Sequence, residues 1–384
     1  MNKSALCQVI YLSTDTEKNN VIYTKQQSMS ILFTPLQLRH HILRNRIVVS
    51  PMCQYSSEDG FASDWHLVHL GQFAIGRAAA VIQEATAVEP EGRISYADTG
   101  IWKDEHIPNL RRIVDFVHAQ DTLIGIQLAH AGRKASAGKP WESRSQLPPH
   151  HPLGWQTKAP SAIPFHETDH TPEALTLEGI QDLVTKFKEG AQRAITAGYD
   201  IIEVHAAHGY LIHQFLSPLT NLRTDSYGGS FENRIRFLIE IIQAIKTVLI
   251  NQSLWVRISA SDWADGGWDV EQSTELAIQL KRLGVEVIDV SSGGAVRHQQ
   301  INVKENYQVP FAEEIRIEAQ ILTGAVGLIN NAKQAEVILQ NQQADLILMA
   351  RRFLQNPHIV KQFAQELDED IDWLPQYQRA KETL

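Results

Sequence analysis

Residues 199–208 read YDIIEVHAAH, an apolar, β-branched run that ends in two histidines. A short run of this kind, bounded by turn signals, is typical of a buried β-strand. The preceding stretch at 177–198, LEGIQDLVTKFKEGAQRAITAG, has the apolar period of an amphipathic helix, and so does FENRIRFLIEIIQAIKTVLI at 231–250. A strand between two helices is therefore the unit from which the fold can be predicted.

The same alternation of strand and helix extends along most of the chain. The predicted strands are RIVVSPM (46–52), AAVIQEAT (79–86), TLIGIQLAH (122–130), YDIIEVHAAH (199–208), WVRIS (255–259), EVIDVSS (286–292), AVGLIN (325–330) and ADLILMAR (344–351). They are continuously apolar, as expected of parallel strands that are covered on both faces. Eight strand–helix units predict a (β/α)8 TIM barrel. The rival open sheet would carry GxGxxG at a strand-to-helix turn, and the sequence contains no GxGxxG.

One connection is too long for a plain strand–helix unit. Residues 131–175 include LPPHHPLGWQTKAPSAIPF at 147–165, whose prolines oppose a helix. We predict a long capping excursion after the third strand, with a short hairpin, over the mouth of the barrel. Excursions of this kind often close an active site.

Composition excludes several classes of protein. The chain has 384 residues, with 35 Lys and Arg against 44 Asp and Glu, a net charge of −9. No basic excess indicates nucleic acid as a partner, and no apolar run approaches the roughly 18 residues of a membrane span. Two cysteines, Cys7 and Cys53, are too few for a disulfide framework, a four-cysteine zinc site or an iron–sulfur cluster.

Residues 1–28 contain only short apolar runs separated by polar residues, without the apolar region or cleavage site of a secretory signal. We predict a disordered N-terminal tail there, or sequence upstream of the functional start, because Met29 directly precedes the first convincing element, ILFTPLQL. Residues 29–384 would then form a single barrel domain. The missing export signal and the scarcity of cysteine predict a cytoplasmic location.

In a barrel, side chains just past the carboxyl end of each strand share one pocket. The strand-end residues are Ser50, Pro51, Met52, Cys53 and Tyr55; Glu84 and Ala85; Gln127 and His130; His205, His208 and Tyr210; Arg257; Ser291, Ser292, Gly293 and Gly294; Gly327 and Asn330; and Ala350 and Arg351. The candidate active site is expected among them.

The run HAAHGY, residues 205–210, has three interpretations. Its two histidines could ligate a metal with Glu203 as the third ligand, donate hydrogen bonds to a substrate oxygen, or be structural. The phenol of Tyr210 beside two imidazoles favours protonation of a carbon next to a polarised carbonyl.

Three other strand-end features also leave alternatives open. Arg257 in an apolar strand predicts either an internal ion pair or a counter-charge for a cofactor that becomes anionic. Cys53 could be inert packing, a nucleophile, or a sulfur that tunes a redox cofactor. The loops GAVGLINN and MARRFLQNP, with Arg351 as the charge, either bind a phosphate through backbone N–H groups or match that pattern by chance.

Four stretches together resemble the Old Yellow Enzyme family, whose members are FMN-dependent ene-reductases on a (β/α)8 barrel. They are SPMCQY (50–55), IQLAHAGR (126–133), VHAAHGYLIHQFLSPLTNLRTDSYGGSFENRIRF (204–237) and LILMARRFLQNP (346–357). The resemblance extends from about Ile31 to Gln355. Cys53 together with His208 resembles the bacterial cysteine-containing branch, which includes thermophilic ene-reductases and xenobiotic reductases.

The resemblance implies a set of FMN-binding residues: Ser50, Pro51, Met52, Cys53, Ala85, Gln127, Arg257, Gly293, Gly327, Asn330, Ala350 and Arg351. Gln127 would bind the pyrimidine edge of the flavin, and Arg257 would stabilise negative charge on the reduced ring. Ala350 and Arg351 would hold the phosphate. The chain departs from the family at Ala350, where glycine is usual.

The resemblance also implies the chemistry. NADPH or NADH would reduce FMN, which would then pass hydride to the activated C=C bond of an α,β-unsaturated carbonyl or nitro compound. His205 and His208 would grip the substrate oxygen, Tyr210 would donate the proton, Tyr55 would position the substrate, and Cys53 would adjust the flavin potential. Arg379, in PQYQRA, would reach a neighbouring subunit's site in a homo-oligomer, a dimer or a tetramer.

Three rival functions stay open at this point. A metal-dependent lyase or aldolase would use His205, His208 and Glu203 as ligands, whereas a binding protein would use the same pocket without catalysis. A third possibility keeps FMN and changes the reaction, as in relatives that reduce dienoyl-CoA esters or demethylate amines.

Overall fold

A computed structural model describes residues 30–143 and 145–381, so the predicted tail at 1–28 and Cys7 lie outside the described residues. Eight parallel strands close into a barrel, which confirms the (β/α)8 prediction. The barrel strands are β1 (Ile47–Val49), β2 (Ala80–Ala87), β3 (Leu123–Ala129), β4 (Ile201–Ala206), β5 (Ser253–Ser259), β6 (Val287–Ser291), β7 (Leu322–Ala325) and β8 (Leu346–Met349).

Helices follow every strand. They are α1 (Asp64–Ile75), α2 (Ile107–His118), α3 (Leu177–Ala197), α4 (Leu211–Leu216), α5 (Phe231–Lys246), α6 (Val270–Leu283), α7 (Val309–Ala319), α8 (Ala332–Gln340), α9 (Arg351–Gln355), α10 (Ile359–Glu366) and α11 (Gln378–Lys381). Side-chain caps explain where several begin: the oxygen of Thr176 accepts from the Gly179 N–H, and that of Asp269 from the Gln272 N–H. None of the described helices is long and apolar enough to cross a bilayer.

The amino end of the barrel is closed by apolar packing. A small antiparallel pair, Leu36–Gln37 with Ile42–Leu43, precedes β1. Leu38 and Leu43 from this segment are buried in one cluster with Val48 and Trp255 of the barrel strands. Because that end is filled by side chains, the carboxyl end is the one that remains for a functional site.

The seventh strand was misplaced by the sequence pattern. It spans Leu322–Ala325, whereas the prediction put it at 325–330. Gly327 has φ 112° and Leu328 has φ 55°, backbone conformations that a strand does not contain. The apolar run AVGLIN is therefore largely the loop at the carboxyl end of β7.

The long connection after β3 is confirmed as an excursion, and it contains a short antiparallel contact, in which Ala137 pairs with Gln146 and the Gly138 N–H donates to the Ser145 carbonyl at 3.1 Å. Lys158–Ala159 pairs with Glu173–Ala174 in parallel, because residues 160–172 form a crossover rather than a tight turn. The guanidinium of Arg133, just past β3, donates to the carbonyl oxygens of Ile163 and Pro164 at 3.2 and 3.3 Å. The excursion is thereby held against the carboxyl end of the barrel.

Candidate active site

Three predicted site residues meet at the carboxyl end of β4. The ring of His205 lies 5.2 Å from that of His208 and 5.0 Å from that of Tyr210, centroid to centroid, with each pair edge to face. His205 is buried, and the other two side chains are half-buried. The structure therefore brings together two imidazoles and a phenol at the mouth of the barrel.

Backbone hydrogen bonds fix the turn that carries these rings. The Ala207 N–H donates to Nδ1 of His205 at 3.3 Å, and the His208 N–H donates to Oγ of Ser259 at 2.9 Å. The Tyr210 N–H donates to the Ala207 carbonyl at 3.1 Å, directly before α4 begins. The spacing of the rings thus follows from a turn that is anchored to β5.

The turn also packs backbone to backbone against the loop after β6. Gly209 has φ 72° and Gly294 has φ 95°. A Cβ at Gly209 would lie 2.0 Å from the Gly294 oxygen, and one at Gly294 would lie 2.6 Å from Cα of His208. His208 itself has φ 59°. Only glycine permits this approach, which places His208 in its left-handed conformation.

Both histidines are neutral at physiological pH. Burial, followed by the charge of Arg257, lowers the pKa of His205 and of His208 well below the ordinary value. Since Nδ1 of His205 accepts a hydrogen bond, that ring carries its proton on Nε2. Nε2 of His208 lies 2.7 Å from Oγ of Ser291. Each neutral ring therefore carries one N–H, and that of His208 is free to donate when the Ser291 hydroxyl donates to Nε2 rather than to Oε1 of Gln308, 3.4 Å away.

Tyr210 retains its proton. Burial, followed by interactions with Cys53 and Tyr55, raises the pKa of Tyr210 well above its ordinary value. The ammonium of Lys134 lies 5.3 Å from the centre of the Tyr210 ring and donates to the carbonyls of His208 and Gly294 at 2.8 and 3.1 Å. Burial lowers the pKa of Lys134 to about 8, so it stays largely charged at neutral pH.

Lys134 was missed by the sequence analysis. The sequence did contain a sign of it: two cations in succession, Arg133 and Lys134, follow the predicted strand at 122–130. Charged residues at the end of an apolar strand are seldom buried unless they have a partner. The ammonium lies 4.3 Å from the centre of the Phe165 ring in the excursion. Lys134 therefore contacts the turn after β4, the loop after β6 and the excursion from a single position.

Cys53 is a thiol rather than a thiolate. Burial, followed by the charges of Asp98 and Glu84, raises its pKa well above the ordinary value. Because the thiolate is the nucleophilic form, this environment disfavours the nucleophile interpretation. Asp98 is buried as well, and burial together with Glu84 raises its pKa to about 8.

Tyr55 opens onto a cleft of about 800 Å³. Its ring lies edge to face with Trp141, at 5.9 Å between centroids. The other side chains of the cleft include aromatic and acidic groups, among them Tyr96, Trp155, Glu58, Asp59 and Glu91. A substrate at Tyr55 would therefore have room to extend away from the histidines.

Four polar side chains lie inside the barrel on the consecutive strands β3 to β6. Nε2 of Gln127 donates to Oε1 of Glu203 at 2.7 Å, and Nε of Arg257 lies 3.0 Å from Oδ2 of Asp289. The internal ion pair predicted for Arg257 is therefore present. In the described part of the chain no three His, Cys, Asp or Glu side chains are arranged to hold a metal ion, and Glu203 faces Gln127 instead.

The loops after β7 and β8 meet at a small cavity of about 70 Å³. The cavity is lined by the four residues predicted to lie together in a phosphate site: Gly327, Asn330, Ala350 and Arg351. Their proximity is observed, and the phosphate remains a prediction. Nδ2 of Asn330 donates to the Leu328 carbonyl at 3.0 Å, so that side chain shapes its own loop. Arg351 is exposed at the rim.

The backbone N–H and carbonyl of Gly293 are both hydrogen-bonded within the protein, so neither is free to bind the cofactor predicted there. Its N–H donates to the Ser261 carbonyl, and its own carbonyl accepts from Oγ of Ser259, both at 2.8 Å. Its backbone groups are thus used within the loops, and its effect on a cofactor would be through shape.

Among the described residues, three of the other predicted cofactor-binding residues, Ser50, Gln127 and Arg257, have polar atoms that are free to bind a ligand. Ser50, at the end of β1, has a buried Oγ without a hydrogen-bond partner among the described residues. The amide oxygen of Gln127 and the terminal nitrogens of Arg257 form no hydrogen bond with any residue the structure describes. Pro51, Met52 and Cys53 follow β1, and Ala85 lies near the end of β2. A partner with both donors and acceptors fits this set.

Arg379 lies in α11, exposed, and no contact between described residues connects it to the histidine cluster.

Comparison with known proteins identifies the family. Residues 31–370 match the NADH:flavin oxidoreductase / NADH oxidase family. An NADPH dehydrogenase of Bacillus velezensis is 50% identical over 351 residues, 91% of this chain and 98% of the relative. An NADPH dehydrogenase of Listeria monocytogenes serotype 4a is 49% identical over 354 residues, 92% and 99% of the two chains. A structure of morphinone reductase in complex with tetrahydroNAD has a TM-score of 0.72 at 29% identity, covering 88% of this chain and 92% of that one.

The match spans most of the chain, includes every barrel strand, and agrees with the resemblance seen in the sequence. The chain therefore belongs to the NADH:flavin oxidoreductase / NADH oxidase family, and it is an FMN-linked oxidoreductase of the Old Yellow Enzyme type.

Proposed function

We propose that the protein is an ene-reductase that reduces the activated C=C bond of α,β-unsaturated carbonyl or nitro compounds. The observation that carries the proposal is the cluster of His205, His208 and Tyr210, where two N–H donors adjoin a protonated phenol. Bound FMN would supply hydride transfer, taking hydride from NADPH and delivering it to the alkene. The protein's own contribution is then binding, orientation and proton delivery.

His205 and His208 would donate hydrogen bonds to the substrate's carbonyl or nitro oxygen. His205 donates through Nε2, and His208 donates through Nδ1 when the Ser291 hydroxyl donates to its Nε2. Negative charge develops on that oxygen during the reaction, and fixed donors stabilise it without reorganisation. The nearby cations Lys134 and Arg257, which help to keep both rings neutral, favour the same charge.

Tyr210 would donate its proton to the α-carbon of the substrate. The phenol is neutral, so it holds a proton to give. Its raised pKa also makes it a reluctant acid, and the ammonium of Lys134 beside the ring would stabilise the phenolate left behind. Tyr55, next to the cleft, would hold the far side of the substrate.

The cofactor would be held by residues at the carboxyl ends of β1, β2, β3 and β5 and in the loops after β7 and β8. Gln127 and Arg257 would bind its pyrimidine edge, Ser50 to Cys53 and Ala85 would line the ring, and Arg351 would pair with the phosphate. Alanine at position 350 keeps the backbone N–H that glycine would offer, so this departure from the family leaves the donor in place. Cys53, as a neutral thiol, would adjust the flavin potential, and on the basis of this residue we propose that the chain belongs to the cysteine-containing branch.

We also propose a homo-oligomer in which Arg379 of one copy enters the cleft beside Tyr55 of another. The cleft carries three carboxylates, Glu58, Asp59 and Glu91, against Arg93 and Lys139. Asp59 is already paired with Lys103, so Glu58 and Glu91 are the groups that would attract a guanidinium. Light scattering should then show a dimer or tetramer, and Arg379→Ala should raise KM more than it lowers kcat. A monomer with unchanged KM in the variant would contradict this arrangement.

NADPH is the proposed hydride donor, since both similar bacterial relatives are NADPH dehydrogenases. We also propose a cytoplasmic location for the protein. The test is direct: purified protein should be yellow, and its flavin absorbance should bleach with NADPH and return when an enone, maleimide or nitroalkene is added without oxygen. A protein that bleaches but is not reoxidised by any of these would point to another substrate of the same flavin. A colourless protein that does not take up FMN would overturn the proposal.

A further inference from the structure

Beneath the histidine cluster, the barrel interior holds more acid than base. Glu203 and Asp289 are fully buried, and Gln127 and Arg257 are nearly so. Register places Gln127 opposite Glu203 on β3 and β4, and Arg257 opposite Asp289 on β5 and β6. The group therefore contains two carboxyls for one guanidinium.

The single cation is already paired. Nε of Arg257 lies 3.0 Å from Asp289, whereas Glu203 has a neutral amide as its only described hydrogen-bond partner. The second oxygen of Glu203, Oε2, is buried without a partner among the described residues. A buried carboxylate with so little compensation costs several kcal/mol, which a bound proton removes.

Electrostatics agree with a protonated Glu203. Burial raises its pKa to about 8, the charge of Asp289 adds to the rise, and Arg257 and Gln127 oppose it. His205, two residues further along β4, is neutral and adds no charge. Burial raises the pKa of Asp289 as well, but the guanidinium of Arg257 lies 3.0 Å from that carboxyl and opposes the rise. We therefore assign the proton to Glu203, the carboxyl without a cation beside it, which leaves one negative and one positive charge on the four side chains.

Glu203 also determines which way the Gln127 amide points. Because Nε2 donates to the carboxyl, the amide oxygen of Gln127 is turned away from Glu203 and is left free to accept. Without the carboxyl, the amide could rotate and present a donor instead. The same carboxyl thus controls both an orientation and a charge.

We propose that Glu203 is a positioning residue for the cofactor: it orients the Gln127 amide toward FMN and, by holding a proton, keeps the interior beneath the flavin free of excess negative charge. This inference rests on the proposed FMN site. When Glu203 loses its proton, the added negative charge opposes the negative charge that the flavin acquires on reduction, and the reduction potential falls.

The first test measures orientation by FMN affinity, through flavin fluorescence on serial dilution of the holoenzyme. Glu203→Leu should weaken FMN binding about fivefold to tenfold, the cost of one misdirected hydrogen bond, and Glu203→Gln should weaken it less. Glu336→Gln is the control, because Glu336 is also buried but binds only the backbone and side chain of residues 30–32 and Gln340. Equal affinity for FMN in Glu203→Leu and the wild type would refute the orienting role.

The second test measures charge, by the flavin midpoint potential as a function of pH. Gln at 203 cannot ionise, so wild type and Glu203→Gln should give similar potentials well below pH 8 and diverge above it, with the variant higher. Curves that stay parallel across the range would refute the charge role. Glu203→Gln keeps the shape of the side chain, so this test can still be carried out if Glu203→Leu fails to fold.

The outcomes separate this inference from the proposed function. If the wild type takes up no FMN, or its flavin is not reduced by NADPH, the proposed function fails. If the wild type behaves as proposed while both Glu203 variants match it in affinity and pH profile, only the role of Glu203 fails.

Discussion

Tyr210 is the residue whose loss should divide the catalytic cycle. Tyr210→Phe keeps the ring that packs against His205 and removes the only proton the phenol can give. Reduction of the flavin by NADPH should stay within about twofold of wild type, whereas alkene reduction should slow by about 10²- to 10⁴-fold, the range for loss of a general acid. Stopped-flow absorbance separates the two half-reactions, and equal slowing of both would contradict proton donation by Tyr210.

Asp98 should make stability depend on pH. Its folded-state pKa is raised to about 8, while the unfolded chain ionises near pH 4. Between these values the folded protein holds a proton that the unfolded chain has lost, so stability falls as pH rises through this window, by on the order of a few kcal/mol in total.

Asp98→Asn removes that dependence, because an amide mimics the protonated acid and can still accept from the Ile94 N–H. Melting temperatures of variant and wild type should agree near pH 4 and separate toward pH 8, with the variant higher. A constant difference between the two melting curves would show that Asp98 is ionised in the folded state.

For individual residues, the sequence was enough to find side chains whose chemistry is distinctive. It was not enough to find side chains whose role depends on which residues the fold places beside them. His205, His208 and Tyr210 stood out as a short polar run at a strand end. Asp289 and Lys134 did not, because a charge becomes significant only when the fold sets it beside Arg257 or over the Tyr210 ring.

Among the elements, the turn between β4 and α4 is the most constrained. Gly209→Ala should lower alkene reduction by about tenfold to a hundredfold, because its Cβ would meet the Gly294 oxygen and displace His208 and Tyr210. FMN content should be retained, since the turn is separate from Gln127 and Arg257.

Gly229→Ala is the matched control for that substitution. Gly229 has φ 79°, so the backbone cost of about 1 kcal/mol is similar, but its Cβ would meet nothing within 4 Å. Loss of stability without loss of alkene reduction is expected there. Equal activity losses in the two alanine variants would mean that backbone strain, rather than the contact with Gly294, is responsible.

Elements were predictable where apolar period and length agreed. Every barrel strand except β7 lies within or close to its predicted run, since each run is a continuous apolar stretch between turn signals. β7 was displaced because LTGA is weakly apolar and AVGLIN is strongly so. The decisive information there was the left-handed backbone of Gly327 and Leu328, which an apolar pattern does not reveal.

For the whole molecule, Glu89 joins the excursion to the barrel. It is buried just past β2 and accepts from His130 past β3 at 2.9 Å, from Lys158 of the excursion at 2.8 Å and from Lys186 of α3 at 2.7 Å. Burial alone would raise the pKa of Glu89, but hydrogen bonds from these three groups hold it below the ordinary value.

Glu89→Gln should lower the free energy of unfolding by about 2 kcal/mol, less than a fully buried pair because both lysines are partly exposed. Thermal or denaturant unfolding measures the change. Glu142→Gln is the control: its exposed carboxylate pairs with Lys139 and accepts from the Tyr96 hydroxyl, and its loss should cost clearly less stability than that of Glu89. Equal effects in the two variants would show that the buried cluster does not secure the excursion.

The global architecture was predictable because eight repeats of one unit permit few arrangements, and barrel closure follows from their number. The path of the excursion was not, because contacts such as that of Arg133 with Ile163 and Pro164 join segments with no shared periodicity.

The contact between Gly209 and Gly294 has a consequence for protein engineering. Transplanting HAAHGY alone into a different barrel would set Gly209 against whatever the host carries after its sixth strand, and almost any side chain there would push the imidazoles out of place. A working graft would have to import SSGG as well, together with Lys134, whose ammonium bridges both segments. Three stretches that are distant in sequence therefore have to be transferred together, because each fixes the backbone position of the others.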